Sequence, residues 1–166
     1  MTKLPDTHPR PTQADDFPAH GPNSLASIGE RGVGRTIDLL LELIPVVILV
    51  VPYLRVEGNQ FKLDSIPFWM GFVTIGVAVV YETTFIAWRG QTIGKMIVGV
   101  RVAQLVGGQK LDLSQAGLRS LVPSSAWAIP VLGFGLYLMV FLSAIGKPLR
   151  RGIHDRGAGS VVVRTR

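Results

Sequence analysis

The chain has 166 residues, room for a single domain. Hydrophobic residues make up 48% of it, charged residues only 17%, and cysteine is absent; this speaks against an ordinary soluble globule and excludes disulfides, thiolate metal sites and cysteine nucleophiles. The formal charge of +6 suits either nucleic acid or an anionic membrane surface, and the placement of the charges decides between them.

Residues 1–30 read as a separate region, with Pro5, Pro9, Pro11, Pro18 and Pro22 set among polar residues. So little apolar surface cannot offset the entropy of ordering, and a disordered polar tail is expected. No apolar run follows Met1, so the segment is not read as a signal peptide. Residues 31–166 are read as one membrane domain.

The first apolar segment, 36–54, is interrupted only by Asp38 and Glu42 among charged residues. At about 1.5 Å per residue it approaches the roughly 30 Å of a hydrocarbon core. Pro45 and Pro52 are tolerable there, because neighbouring helices can satisfy the freed backbone groups. The second segment, 66–88, is long enough to span with tilt. Its Trp69 and Trp88 stand about 28 Å apart on a helix, which suits a ring at each interface. The third, 120–146, is broken by Pro123, Pro130, Gly133 and Gly135.

The basic residues discriminate between topologies. If the third segment hinges near Pro130 to Gly133 and returns, only Arg55 and Lys62 fall on the far side, and fifteen of the seventeen lysines and arginines share one face. A single crossing would instead split them. Basic segments stay cytoplasmic, so a short hairpin or re-entrant pair is expected, with both termini cytoplasmic. The expected fold is thus an all-α membrane protein: a small polytopic bundle of two full spans, a broken third region and a small cytoplasmic β element. The β element comes from Ile97–Val102 and Ser160–Val163, both rich in β-branched residues. Unpaired strand amides are not stable in lipid, so the two belong together outside it. Gly107-Gly108 reads as a hairpin turn, and Ser114 as the N-cap of the helix that follows.

Arg31, Arg35, Asp38 and Glu42 are spaced four, three and four apart, so they share one helix face. Glu42 lies about 9 Å inward from Thr36, and Glu82 about 9 Å inward from Trp88 on the returning helix. Carboxylates at that depth need partners, and Arg31, Arg35 and Arg89 are the nearest candidates. Two readings stay open: a salt-bridge network that fixes helix register, and a cation or proton site built on Glu42, Glu82 and Asp38. Asp155 and Arg156 sit in a loop bounded by Gly152 and Gly157, where Asp155 is expected to accept loop amides or to pair with Arg31.

Several motifs carry no chemistry. Gly90-Gln-Thr-Ile-Gly94-Lys95-Met96 is one residue too short for a phosphate-binding loop and lacks its Ser or Thr. His8, His20 and His154 have no metal-ligand spacing. His154-Asp155 with Ser160 lacks the strand–elbow–helix context of a catalytic triad. The basic segments lack interleaved aromatics, so anionic lipid headgroups on the cytoplasmic face are the expected partners and nucleic acid is not.

The stretch Arg31-Gly-Val-Gly34-Arg-Thr-Ile37-Asp38 resembles the opening motif of the RDD family of bacterial membrane proteins. Gly90-Gln-Thr-Ile-Gly94-Lys95, with Gly99-Val-Arg101-Val and Gly107-Gly108, is similar to its central signature. His154-Asp155-Arg156-Gly-Ala158-Gly159 and the valines that follow are similar to its closing one. On this resemblance the name-giving residues are Arg31, Asp38 and Asp155. Gly34 departs from a usual alanine and Arg35 from an apolar residue, while Glu42 and Glu82 are not family hallmarks. The resemblance implies a multi-pass protein of the bacterial plasma membrane linked to transport, with cation–proton exchange proposed for some members. It names no substrate and no cofactor. Two functions from different classes follow: an accessory subunit of a larger membrane complex, and an oligomeric Na⁺/H⁺-type exchanger. A membrane enzyme is not expected, because no nucleophile–base pair or metal set is found.

Overall fold

The computed structural model describes residues 11–58, 60–63, 65–128 and 132–166. Helix α1 spans Ile28–Val50 and starts at a capping box: Ser27 Oγ accepts from the Glu30 amide at 3.1 Å, and Glu30 accepts from the Ser27 amide at 2.7 Å. The helix therefore begins two turns before the apolar segment expected at 36–54. It continues through Pro45 and ends in a 3₁₀ turn, Val51–Tyr53, that contains Pro52.

Strands β1 (Leu54–Glu57) and β2 (Gln60–Leu63) form a short antiparallel hairpin at the far end of α1. Helix α2, Trp69–Arg89, runs back and stops at Gly90, whose φ of 73° lies in the left-handed region. Both α1 with its 3₁₀ extension and α2 are long and apolar enough to cross a membrane. The broad expectation of two apolar spanning-length helices with a small β element holds.

Helix α3, Ile93–Val98, precedes strand β3, Val100–Gln104. Ile97 and Val98 are thus helical, a correction to the strand expected over Ile97–Val102: Thr92 and left-handed Gly99 frame one short helix and override the β-branched preference. Strand β3 pairs antiparallel with β4, Ser160–Arg164, in a register that sets Val102 opposite Val162. Gly107 and Gly108 do form a turn, with φ of 79° and 63°. It leads into helix α4, Leu113–Ser125, and not into a local hairpin. The N-cap of α4 is Asp112, which accepts from the Gln115 amide at 2.7 Å. Ser114 instead donates its hydroxyl to Asp112.

Helix α4 runs into a 3₁₀ turn, Ala126–Ala128, and the chain resumes as α5, Gly133–Leu142. Pro130 lies outside the described residues. Helix α5 returns along α4: the Trp127 ring meets Tyr137 at 5.4 Å, and Phe141, a turn further on, meets His154 of helix α6 (Ile153–Gly157) at 4.8 Å. Residue 155 of α6 in turn bonds Arg119 in the middle of α4. The third apolar region is therefore two short folded-back pieces.

The segment before α1 joins the sheet. Leu25 bridges to Val163, the Ala26 amide donates to Val162, and Ser24 and Ala26 are each 1% exposed. Of the tail expected over 1–30, residues 1–10 lie outside the described residues, and its last residues cover β4. One face of the sheet packs Val100, Val102 and Val162 on Ile86 and Ala116. The other packs Ala103, Val161 and Val163 on Leu25 and Leu149.

Helices α1 and α3 meet through two glycines. A Cβ at Gly94 would stand 2.9 Å from the Asp38 carboxylate and would overlap the Gly34 carbonyl. Gly94→Ala should cost about 1–3 kcal/mol as an overpacked contact, read as a lower thermal midpoint by circular dichroism in detergent. Gly76→Ala, with nothing within 4 Å of its Cβ position, should leave the midpoint unchanged.

Candidate functional site

Four carboxylates and four cations meet where the start of α1, the end of α2, and α3, α4 and α6 converge. Asp38 is fully buried. Its Oδ1 accepts from the Gly94 amide (2.8 Å) and the Tyr81 hydroxyl (2.9 Å). Its Oδ2 accepts from Thr92 Oγ1 (2.5 Å) and faces Lys95 Nζ at 3.3 Å. One helical turn on, Glu42 receives both terminal nitrogens of Arg35, at 2.9 and 3.3 Å. This fork-to-fork geometry is the strongest kind of ion pair a guanidinium makes. The remaining Arg35 nitrogen, Nε, donates to Tyr137 of α5.

Glu82 of α2 sits at the centre. Arg119 Nη1 reaches it at 2.7 Å, while Arg35 Nη1 and Lys95 Nζ each stand 3.6 Å away. Arg119 continues the chain, donating Nε to Asp155 at 3.0 Å. Asp155 also takes Arg31 Nη2, and the other Arg31 terminal nitrogen donates to the Arg150 carbonyl. Arg119 is 3% exposed and Asp155 is not exposed at all. Taking such charges out of water costs several kcal/mol apiece, so the arrangement holds only because the partners face one another. With His154 neutral, the cluster carries no net charge.

The structure brings Arg31, Asp38, Glu42, Glu82 and Asp155 together, with Glu42 and Glu82 sharing Arg35. It does not bring in Arg89, which stacks its guanidinium 4.8 Å over the Trp88 ring at the surface end of α2. Arg156 is exposed and stands outside the cluster. Sequence reasoning missed Lys95, Arg119 and His154. A signal for Arg119 existed: it is the only charged residue in α4. Among the described residues, no three His, Asp or Glu side chains converge as a metal set.

Burial sets the protonation of the groups in α3 and α6. It pushes Lys95 below the ordinary lysine range against the pull of Glu82. It drives His154 down to about 4, with the Asp155 charge opposing. Asp155 goes the other way: burial alone would raise it, yet His154, Arg119 and Arg31 hold it well below the carboxylate range.

Removing one partner of a buried pair strands the other. Arg31→Ala or Asp155→Ala should lower the amount of folded protein recovered from membranes, at a cost of about 3–5 kcal/mol. Arg156→Ala should not. Acid should act through His154 first. The unfolded imidazole, near 6.5, protonates before the folded one at about 4, so about 3 kcal/mol of stability is present above pH 6.5 and lost on the way down to 4. Asp155 adds a further loss below the ordinary carboxylate value, about 4. Thermal midpoints in gluconate buffer should trace this fall, and His154→Gln should remove its upper part.

A family model for the RDD family matches residues 25–159. Comparison with curated proteins and with solved structures returned no match. The matched region contains α1 to α6 and all eight ionised members of the cluster, from Arg31 to Asp155. With apolar helices of spanning length and a match over most of its length, the chain belongs to the RDD family.

Proposed function

We propose that this protein is a multi-pass component of a bacterial plasma membrane, with both termini cytoplasmic, that serves as a transport-associated accessory subunit of a larger assembly and not as an enzyme. Insertion in lipid is supported by exposure. Only 6% of the apolar window of the first helix and 17% of that of α2 is buried, whereas a soluble core helix of this composition would be mostly covered. Leu40, Leu43, Ile44, Ile48 and Val80 are all more than half exposed. The orientation is supported by charge: Arg55 and Lys62 lie on the far hairpin, while the described basic residues from α3 onward lie at the sheet end or in the segments leading to it. Anionic headgroups are the partners that suit that end.

One observation carries the accessory reading. Each carboxylate of the cluster already has a buried cation against it, so a transported cation would have to displace an internal one. Two full-length spans and a folded-back pair also offer little wall for a solute path within a single copy. A second reading draws on Glu42, whose ion partner Arg35 is shared with Glu82. If copies assemble around that residue, cation–proton exchange through Glu42, Glu82 and Asp38 becomes feasible. Purified protein in vesicles carrying a pH gradient separates the two. The accessory reading expects the gradient to survive addition of Na⁺ or K⁺, and native purification to bring down other membrane subunits. Cation-driven collapse of the gradient that Glu42→Gln abolishes would replace it with the exchanger.

A further inference from the structure

His154 is 1% exposed, yet among the described residues neither of its ring nitrogens has a hydrogen-bond partner. Its Nε2 lies 3.4 Å from Asp155 Oδ1, close enough for charge to act but without a bond to the neutral ring. Buried polar atoms left so are uncommon, and each one calls for a cause. The ring borders a small cavity of about 20 Å³, room for one water or one ion of similar size. Four cationic side chains, Arg31, Arg35, Lys95 and Arg119, wall it with His154, Phe141, Val100 and Val162, and no carboxylate lines it. The carboxylates that neutralise those cations approach them from outside the cavity.

The walls select the chemistry of an occupant. Arginine and lysine donate and never accept, and neutral imidazole offers a single acceptor. A water molecule has two hydrogens to place and finds one side-chain acceptor at most. A monatomic anion has none to place and can accept from every donor present. Arg119 lines the cavity while its Nε is committed to Asp155 and its Nη1 to Glu82. Charge then adds a second condition. The four cations and four carboxylates already cancel, so a buried anion would stand uncompensated, which is expensive. One proton on His154 restores neutrality and turns Nε2 into a donor towards Asp155.

We propose that this cavity binds one chloride-sized anion and that the anion enters together with a proton carried by His154. The groups that bear on His154 are Asp155 on its own helix, Arg119 on α4, Glu82 on α2 and Arg31 on α1, with Lys95 of α3 across the cavity. Helix α5 contributes the Phe141 ring, and β4 contributes the Ser160 hydroxyl, which donates to Asp155. Alone, this surround disfavours the imidazolium; a bound anion lessens that penalty. Proton and anion then strengthen one another's binding by the same factor.

The test uses the full chain in detergent micelles with ¹⁵N-labelled histidine, titrated in sodium chloride and in sodium gluconate at equal ionic strength. His154→Gln identifies the resonance, and exposed His20 is the internal control. The expected result is a His154 titration that moves up in chloride by about one pH unit, the tenfold coupling of a typical linked pair, while His20 stays put. Chloride should correspondingly bind about twofold more tightly near pH 5 than near pH 7.5, the gain approaching tenfold only below pH 4. The same His154 titration in both salts would overturn the proposal, and so would a shift shared by His20. The chloride affinity is read on the unaltered chain, so it stands even if His154→Gln folds poorly.

Discussion

The carboxylate of Asp155 is the joint on which the molecule turns. It has no exposed surface and takes Arg31 from the first helix and Arg119 from α4. A charge in that position is tolerable only while both guanidinium groups face it. Its demand propagates: Arg119 also serves Glu82, Glu82 faces Arg35 and Lys95, and these serve Glu42 and Asp38. Five helices are therefore held at one end of the molecule by alternating charge. The other end, around the β1–β2 hairpin, carries the exposed Lys62–Glu57 pair. Apolar packing plays the smaller part along the long helices, whose outer faces are largely uncovered.

Close contact makes the charge relay possible. Lys95 reaches Asp38 because Gly34 and Gly94 let α3 lie directly on α1, backbone against backbone. The same approach aims the Gly94 amide at the carboxylate. Helix α5 is needed for a different reason. By folding back it delivers the Tyr137 hydroxyl to Arg35 and the Phe141 ring to His154, and so closes the cluster on the side that α1 and α2 leave open.

Much of this was legible from residues alone, and the gaps have physical causes. Long apolar runs announce spanning-length helices whatever their partners, because length and composition are local properties. The spacing of Arg31, Arg35, Asp38 and Glu42 gave a common face for the same reason. The Arg31–Asp155 pairing was reachable only as one of two alternatives, since nothing local links residues so distant in sequence. Lys95 was out of reach and Arg119 was marked only by its isolation in α4: which cation meets which carboxylate depends on how α3 and α4 dock. Ile97 and Val98 misled through propensity, which a flanking left-handed glycine overruled. Ser114 was the expected cap, but Asp112, two residues earlier, is the stronger acceptor and took the role. The burial of His154 has no sequence signature, because neither its neighbours nor its spacing distinguishes a core imidazole from a surface one.

The long reach of the Arg31–Asp155 pair, 124 residues, bears on the order of synthesis. Arg31 and Arg35 leave the ribosome early, on a helix whose remaining length is oily, and Arg31 cannot be matched until the last dozen residues are made. The edge formed by Leu25 waits just as long for Val163. A nascent chain halted before α6 would hold its first helix with the Arg31 guanidinium lacking its carboxylate. Synthesis through β4 is thus what joins the separate helices into one closed body.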